Sequence, residues 1–294
     1  MNKQKTIIII VGATASGKTK LSLELADHFK TSIISADSRQ CYKELNIGVA
    51  KPSEEALHSV KHYFINSHSI QDNVNAQVFE AYALKAAEEI FRENDTAIMV
   101  GGTGMYIKAF CEGLDEIPDI DLSVRNEIIK LYNEKGLSRL QEEVQKTDPV
   151  FWQSAEQKNP QRLMRALEVL KTTGVSIMQF RKRIKEERQF KIIKIGIDLS
   201  KEELHKNIEN RVDEMIEAGL IEEARILFPY KNLNALQTVG YKEVFEYFDK
   251  KITLPESIRK IKSNTRQYAK RQLTWFKKDG GISWEKNWSI EKLI

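Results

Sequence analysis

The sequence predicts an α/β fold in which a parallel sheet is covered by helices on both faces and a helical insertion interrupts the chain. Short apolar runs rich in β-branched residues alternate with helical patterns before residue 117 and again after residue 190, and this alternation is typical of parallel sheets. Between residues 118 and 189 the chain is charged and helix-like, without a convincing strand. We therefore predict an α/β core of residues 1–117 and 190–294 around an insertion of residues 118–189.

Four apolar runs are predicted to be strands, at residues 6–11, 32–36, 97–100 and 192–199. Because parallel strands are joined by crossover helices, the helical patterns between them should cover the sheet. One such helix is predicted over residues 77–91. Another follows the first strand, where an apolar stripe recurs at helical spacing and consists of Leu21, Leu25, Ala26 and Phe29.

The remaining helices are predicted from their breaks and caps. Residues that end or begin helices divide the insertion into several helices, namely Gly136, Pro149, Pro160 and Gly174. After the fourth strand, Ser200 and Glu203 have the spacing of a capping box, which predicts a helix over residues 201–218. A last long helix is predicted over residues 255–277, and the tryptophans beyond it, Trp284 and Trp288, are expected to pack against the core.

Residues 12–19 match the consensus of a phosphate-binding loop, G-x-x-x-x-G-K-[ST], between the first strand and the first helix. Gly12 and Gly17 allow tight turns, so that backbone N–H groups and the helix N-terminus point at phosphate oxygens. Lys18 adds a positive charge, and the Thr19 hydroxyl suits Mg²⁺. The intervening residues that complete the cradle are Ala13, Thr14, Ala15 and Ser16. This motif predicts a P-loop NTPase-like sheet, although the loop alone does not separate kinases, ATPases, GTPases and transferases, and a glycine-rich turn that binds nothing is the alternative.

Polar clusters follow two further strands of the predicted sheet. Asp37, Ser38, Arg39 and Gln40 come after the second strand, and the segment Gly-Gly-Thr-Gly at residues 101–104 comes after the third. Ligands of open α/β sheets bind at the carboxyl ends of the strands. We therefore expect these clusters to meet the phosphate loop at one site.

Composition indicates a soluble globular protein, since 41% of the 294 residues are hydrophobic and 30% are charged. No run reaches the roughly 20 apolar residues of a membrane span, and the N-terminus lacks a signal-peptide pattern, so a cytoplasmic location without membrane association is expected. The two cysteines and five histidines do not form a zinc-binding pattern.

The net charge is only +4, but basic residues are clustered. Eight Lys or Arg and no acid lie in residues 257–278, and seven Lys or Arg lie in residues 181–194 together with Glu186 and Glu187. Such clusters indicate either a polyanion-binding surface or a solvated helix face. Along the last helix Arg259, Lys262, Arg266 and Lys270 form one basic edge.

An arginine interrupts the apolar stripe of the predicted helix 201–218. Arg211 shares a face with Leu204, Ile208 and Met215. A buried guanidinium is costly unless an anion meets it, so Arg211 is predicted to be near bound phosphate. The alternative is that its head group reaches solvent at the rim.

Seven blocks, in order along nearly the whole chain, resemble the tRNA dimethylallyltransferase family, also called the tRNA isopentenyltransferase family. The blocks are the phosphate loop and residues 37–42, 47–52, 101–106, 159–168, 240–243 and 270–276. The chain departs from the family pattern at Ala13, where proline is usual, and at Val49, where threonine is common.

The resemblance implies transfer of a dimethylallyl group from its diphosphate to the N6 amine of the adenosine on the 3′ side of the anticodon. The phosphate loop would then hold the leaving diphosphate. Asp37 would act as general base or orient the amine, and Thr103 would be a second contact. Lys18, Arg211 and Mg²⁺ on Thr19 would stabilise the charge that develops on the diphosphate.

The resemblance also implies a tRNA anticodon stem-loop as partner and a monomeric enzyme. Asp37, Ser38, Arg39, Gln40 and Thr103 would meet the target nucleotide. The insertion would bind the stem-loop through Gln161, Arg162, Leu163, Met164 and Arg165. Arg125 is a weaker candidate for a contact with an RNA phosphate. An alternative for Arg162 and Arg165 is pairing with Glu168 on the same helix.

Other functions stay open from the residues alone. A small-molecule kinase would use the same loop but would not explain the blocks at Asp37 and Asn159. A prenyltransferase acting on free adenine nucleotides would share the loop and Asp37, whereas the basic clusters favour a macromolecular acceptor. A non-enzymatic RNA-binding module would leave the phosphate loop without a role.

Overall fold

The computed structural model describes residues 4–182 and 184–292, which form two compact units. One unit comprises Gly113–Glu186, and the other comprises the chain before and after it. The sequence placed the insertion at residues 118–189, so the second unit begins slightly earlier and ends slightly earlier than expected. No helix in the described part of the chain is long and apolar enough to cross a membrane.

The first unit is built on a six-stranded, all-parallel sheet in the order β3-β2-β4-β1-β5-β6. This confirms the predicted α/β class. The strands are β1 (Thr6–Val11), β2 (Ile33–Ser35), β3 (His62–Tyr63), β4 (Thr96–Val100), β5 (Lys191–Ile197) and β6 (Ile282–Glu285).

Eleven α-helices surround the sheet or form the second unit of the described chain. They are α1 (Lys18–Phe29), α2 (Glu54–Ser59), α3 (Ala76–Phe91), α4 (Gly104–Glu112), α5 (Leu122–Thr147), α6 (Pro149–Ser154), α7 (Pro160–Thr173), α8 (Lys201–Glu217), α9 (Leu220–Leu227), α10 (Tyr241–Phe248) and α11 (Leu254–Phe276). The three long helices predicted over residues 77–91, 201–218 and 255–277 are confirmed as α3, α8 and α11.

Both faces of the central strand β1 are buried. Ile7 and Ile9 pack in one apolar cluster, while Ile8 and Ile10 pack in another with Leu25 of α1. A strand covered on both faces has no polar face, which explains the uninterrupted apolar run that predicted it. The sheet therefore presents only its edges and strand ends to a ligand.

Two short strands, β3 and β6, escaped prediction. β3 has only two residues, and β6 follows a turn at the end of the chain. Trp284 of β6 lies over Gly196 of β5, where an added Cβ would be 2.4 Å from the indole. The Trp288 indole N–H donates a hydrogen bond to the Gly196 carbonyl at 2.9 Å. The prediction that both tryptophans pack is confirmed.

The second unit has its own apolar core, formed by α5, α6 and α7 around Ile128, Leu140 and Phe151. All four predicted breaks are confirmed. Gly136 has φ of 72° and interrupts α5, while Gly174 ends α7 with φ of 75°. The two prolines, Pro149 and Pro160, are the first residues of α6 and α7. A missing N–H is harmless at that position.

Candidate active site

The phosphate loop connects β1 to α1 through left-handed backbone conformations. Gly12 has φ of 149° and Gly17 has φ of 91°. A Cβ on Gly12 would be 3.0 Å from the Ser16 hydroxyl, so glycine avoids a tight contact there in addition to allowing the conformation. No side chain caps the first turn of α1. Its N-terminal N–H groups and the helix dipole therefore favour an anion at this loop.

Lys18 is half-buried at the base of the loop, where its ammonium donates a hydrogen bond to the Ala13 carbonyl. Burial, followed by repulsion from Arg211, lowers the pKa of Lys18 to about 7, and the nearby Asp37 carboxylate partly opposes this shift. A cation that is this poorly stabilised gains from an anionic ligand. The loop therefore has both the geometry and the electrostatics of a phosphate site.

Arg211 reaches the same loop from α8. Its guanidinium donates hydrogen bonds to the Thr14 hydroxyl at 3.2 Å and to the Ala50 carbonyl at 3.4 Å. Burial lowers the pKa of Arg211, while the carboxylates of Asp37 and Glu214 oppose the shift. The arginine on the apolar stripe thus lies against the phosphate loop, which is where the sequence predicted it. An anion contact for Arg211 stays a prediction.

Asp37 follows β2 and faces this cluster of cations. Its Oδ1 accepts hydrogen bonds from the N–H groups of Arg39, at 2.8 Å, and Gln40, at 3.3 Å. These bonds hold the carboxylate in a tight turn. No group among the described residues donates a hydrogen bond to Asp37 Oδ2. One oxygen is therefore used to orient the side chain, and the other is available to a substrate.

Two cavities meet at Asp37. One, of about 80 Å³, extends to Lys18, Thr19 and the end of β4. The other, of about 110 Å³, has apolar walls that include Val212 and Met215. Both are lined by Thr14, Asp37, Arg211 and Tyr268. A reactant with a phosphate end and an apolar end would therefore find a cationic wall and an apolar wall beside the same carboxylate.

Two of the predicted polar residues have internal partners. The Thr103 hydroxyl accepts a hydrogen bond from the Ser38 N–H at 3.0 Å. The Gln40 amide donates to the carbonyls of Val49, at 3.3 Å, and Ala50, at 3.0 Å. Thr103 and Gln40 thus brace the loops around Asp37, and their predicted contacts with the target nucleotide stay predictions.

The glycines of residues 101–104 are explained by close packing. An added Cβ would be 2.2 Å from the Ala36 carbonyl oxygen at Gly101, 2.0 Å from the Gln272 amide at Gly102, and 2.2 Å from the Trp275 indole at Gly104. These distances are far shorter than van der Waals contact. Residues 101–104 thus pack closely against α11 and the end of β2, and Thr103 supplies the polar side chain of this segment.

Gln272 on α11 is a site residue to which the sequence assigned no role. Its Oε1 accepts a hydrogen bond from the Thr14 N–H at 2.8 Å, and its Nε2 donates to the Gly102 carbonyl at 2.9 Å. The buried carboxamide thereby joins the phosphate loop to the loop after β4. Only its place in the block 270–276 indicated it, because a glutamine on a basic helix has no distinctive pattern.

Several residues of the basic clusters pair with acids from neighbouring elements. On α11, Lys262 contacts Asp213 at 2.7 Å and Arg266 contacts Glu209 at 3.0 Å. In the second basic run, Lys194 pairs with Asp279 at 2.7 Å, and Arg183 lies outside the described residues. These ion pairs support the solvated-face alternative for Lys262 and Arg266 of the basic edge, and α11 contacts the site through Gln272.

In the second unit, a buried carboxylate holds two of the predicted RNA-binding arginines. Glu168 is 5% exposed and contacts Arg125 at 3.5 Å and Arg165 at 3.3 Å. Arg162 pairs with Glu156 at 3.0 Å. Pairing with Glu168 is thus confirmed for Arg165 but is wrong for Arg162. All three arginines keep part of their side chain in solvent.

The prediction that Leu163 and Met164 contact RNA needs correction. Leu163 is fully buried and Met164 is 6% exposed, and both belong to the apolar core of the second unit. At helical spacing they face inward, while Gln161 is exposed on the same helix. Their side chains therefore stabilise the unit and are not available at its surface.

Known proteins share this fold and sequence over nearly the whole chain. Residues 40–279 match the IPP transferase family model. A tRNA dimethylallyltransferase 1 of Phocaeicola vulgatus is 46% identical over 279 residues, which is 95% of this chain and 93% of the relative. A tRNA dimethylallyltransferase of Christiangramia forsetii is 48% identical over 278 residues, covering 95% and 92% of the two chains.

Solved structures agree with the sequence relatives. The tRNA isopentenylpyrophosphate transferase of Bacillus halodurans superposes with a TM-score of 0.70 at 34% identity, covering 99% of this chain and 93% of that chain. A eukaryotic dimethylallyltransferase acting on tRNA superposes with a TM-score of 0.79 at 26% identity, covering 95% and 73% of the two chains.

Proposed function

This chain belongs to the tRNA dimethylallyltransferase family, and we propose that it transfers a dimethylallyl group from dimethylallyl diphosphate to the N6 amine of the adenosine 3′-adjacent to the anticodon in tRNA. The observation that carries this proposal is the convergence on one site of a phosphate loop, two half-buried cations and a carboxylate with one oxygen that accepts no hydrogen bond from the described residues. Each part corresponds to one requirement of a displacement at carbon with diphosphate as the leaving group.

The donor's diphosphate fits the loop of residues 12–19. Backbone N–H groups, the Lys18 ammonium and the Arg211 guanidinium surround the position where phosphate charge would lie. As the bond between C1 and the diphosphate oxygen breaks, negative charge grows on that oxygen, and these groups stabilise it. The phosphate loop thus has a role without phosphoryl transfer.

Mg²⁺ fits the same place. Thr19 lines the cavity beside the loop, and its hydroxyl would share the ion with diphosphate oxygens and water. Within the described residues no group of three His, Cys, Asp or Glu could hold a metal ion. Mg²⁺ is commonly bound in this way, through substrate phosphates and few protein ligands. When bound, the ion neutralises charge on the leaving group.

Asp37 serves the acceptor. An exocyclic adenine amine is a weak nucleophile because its lone pair is delocalised into the ring. The Asp37 Oδ2 can accept a hydrogen bond from the N6 amine and take its proton as the bond between C1 and N6 forms. Diphosphate leaves with the electron pair of the broken bond. The adenine must be unstacked to reach Asp37, as in other enzymes that act on a base.

We assign the anticodon stem-loop to the second unit. Gln161, Arg162 and Arg165 lie on α7, and Arg125 shares Glu168 with Arg165. Arginines that are oriented by a carboxylate still present further N–H donors to phosphate. Recognition of a loop with splayed bases is the usual mode for sequence-specific RNA binding.

The proposal is tested by offering three substrate sets with Mg²⁺: dimethylallyl diphosphate with an anticodon stem-loop RNA, the same donor with free AMP, and ATP without a prenyl donor. We expect the mass of one dimethylallyl group on the RNA at the adenosine after the anticodon. Product on AMP alone would support a nucleotide prenyltransferase, and ATP turnover without prenylation would support a kinase or ATPase. Either result would overturn the proposal.

A further inference from the structure

We propose that Glu223, which lies outside the cavities that contain Asp37, is a positioning residue for the transfer reaction because its carboxylate fixes the loop that orients Arg211. This inference rests on the proposed function. Glu223 belongs to α9, and the loop comprises residues 46–50, which we call the arginine-support loop. The two cavities at Asp37 are lined by residues of this loop and by Arg211, but Glu223 lines neither.

One carboxylate accepts four hydrogen bonds. Glu223 Oε2 accepts from the N–H groups of Asn46, at 3.1 Å, and Ile47, at 2.8 Å. Its Oε1 accepts from the Gly48 N–H, at 2.8 Å, and from the Tyr241 hydroxyl, at 2.5 Å. Bonds to a charged acceptor are about twice as strong as neutral ones. Three successive backbone donors are therefore held by a residue that is about 175 positions away in the chain.

Packing restricts the same loop from the other side. The Tyr241 ring is fully buried, and an added Cβ on Gly48 would be only 2.4 Å from it. Burial and the Glu223 carboxylate raise the pKa of the Tyr241 hydroxyl, which keeps the hydroxyl protonated as a donor. The backbone of the arginine-support loop thus lies directly on the ring, at a distance that only glycine allows.

The loop transmits this position to the site through its carbonyl groups. Because the N–H groups of residues 46–48 are engaged by Glu223, the chain continues into Val49 and Ala50 with a defined orientation. The Ala50 carbonyl accepts hydrogen bonds from Arg211, at 3.4 Å, and from Gln40, at 3.0 Å. A shift of the loop would therefore move the guanidinium that contacts the phosphate loop.

The test compares Glu223→Gln with Glu222→Gln. The glutamine keeps the size of the side chain but loses the charge and places N–H donors against the loop's own N–H groups. Misplacement of a catalytic group by about 1 Å can cost on the order of 100-fold in rate, so we expect kcat for stem-loop prenylation to fall ~10- to 100-fold with KM for the donor changed less than about threefold. Glu222 is an exposed neighbour that pairs with Arg225, and its variant should retain wild-type kcat.

A double-mutant cycle separates positioning of Arg211 from a general structural role. If Glu223 acts through Arg211, Glu223→Gln should have little further effect on kcat in an Arg211→Ala background. Fully additive effects, or wild-type kcat in Glu223→Gln, would overturn the inference. Tyr241→Phe, which retains the carboxylate and removes one donor, provides the same cycle if Glu223→Gln does not fold. Failure of the wild-type enzyme to prenylate RNA would instead refute the proposed function.

Discussion

The guanidinium of Arg211 donates a hydrogen bond to the hydroxyl of Thr14, at 3.2 Å, and so joins α8 to the phosphate loop. The loop therefore has a second cation beside Lys18, and the repulsion between the two contributes to the lowered pKa of Lys18. In the absence of an anion this arrangement is unfavourable. A bound diphosphate would relieve it, which makes the pair a sensitive place to test the mechanism.

Replacing Arg211 by alanine should remove one of the groups that stabilise charge on the leaving diphosphate. We expect Arg211→Ala to lower kcat by about 10²- to 10³-fold, as for the loss of other donors to a developing oxyanion. Single-turnover prenylation of stem-loop RNA measures this directly. Lys206→Ala removes the same charge from an exposed position of α8 and should leave kcat unchanged. Equal effects of the two variants would show that only net charge matters.

Asp37→Asn should lower kcat by about 10²- to 10⁴-fold, because an amide cannot take the proton from the N6 amine. The Asn Oδ1 can still accept from the N–H groups of Arg39 and Gln40, so the turn and the stability of the protein should be retained. Asp72→Asn is the matched control. Asp72 accepts from a backbone N–H in an exposed turn, and its variant should behave as wild type. Near-normal kcat in Asp37→Asn would remove Asp37 from the mechanism.

Lys18 should couple diphosphate binding to proton uptake. Burial lowers its pKa from 10.5 to about 7, and a bound anion should raise it again. Titration calorimetry of inorganic diphosphate with Mg²⁺ at pH 8, in two buffers of different ionisation enthalpy, should show uptake of roughly one proton more in wild type than in Lys18→Arg. Identical proton uptake in the two proteins would contradict this assignment.

The same shift has a consequence for the stability of the unliganded protein. Between pH 7 and 10.5 the unfolded chain binds the Lys18 proton and the folded protein increasingly does not. Lys18 should therefore make the free energy of unfolding rise with pH across this window, and its penalty should be complete below pH 7. Urea unfolding of wild type and Lys18→Met gives the free energy of unfolding at pH 7 and at pH 9. The Lys18 contribution is the difference between the two proteins in how much this free energy changes between the two pH values.

The arginines of the second unit should determine the salt dependence of RNA binding. Each phosphate contact that is lost reduces the slope of log K against log salt by ~0.7 for single-stranded RNA. We expect Arg162→Gln and Arg165→Gln each to reduce the slope by about that amount. Arg139→Gln is the control, since Arg139 pairs with Glu142 and Glu143 on α5 and was not predicted to contact RNA. Unchanged slopes in all three variants would refute the assignment.

Much of the fold could be predicted because its signals are local. Strand β1 is buried on both faces and therefore reads as a continuous apolar run, and the breaks at Gly136 and Pro160 follow from backbone chemistry. The position of Arg211 was predictable for a related reason, since an arginine on an apolar stripe needs a polar destination. An arginine on an otherwise apolar helix face therefore indicates by itself that a polar group or an anion lies nearby.

The residues that escaped prediction act through long-range pairing. Gln272 and Glu223 bind backbone groups that lie about 170 to 258 positions away, and no helical periodicity distinguishes either residue. Backbone donors and acceptors are present at nearly every residue, so the sequence does not reveal which of them a side chain will engage. The block 159–168 spans more than one face of α7, and helix geometry directs Leu163 and Met164 into the apolar core.

We propose that the loop of residues 12–19 holds the departing diphosphate of a prenyl donor beside Asp37. Its most direct test is a crystal structure with Mg²⁺ and a sulfur-bridged, unreactive analogue of dimethylallyl diphosphate. We expect phosphate oxygens on the loop N–H groups, on Lys18 and on Arg211, with C1 of the prenyl group on the Asp37 side. Diphosphate bound away from the loop, or a loop that binds ATP and excludes the analogue, would contradict it.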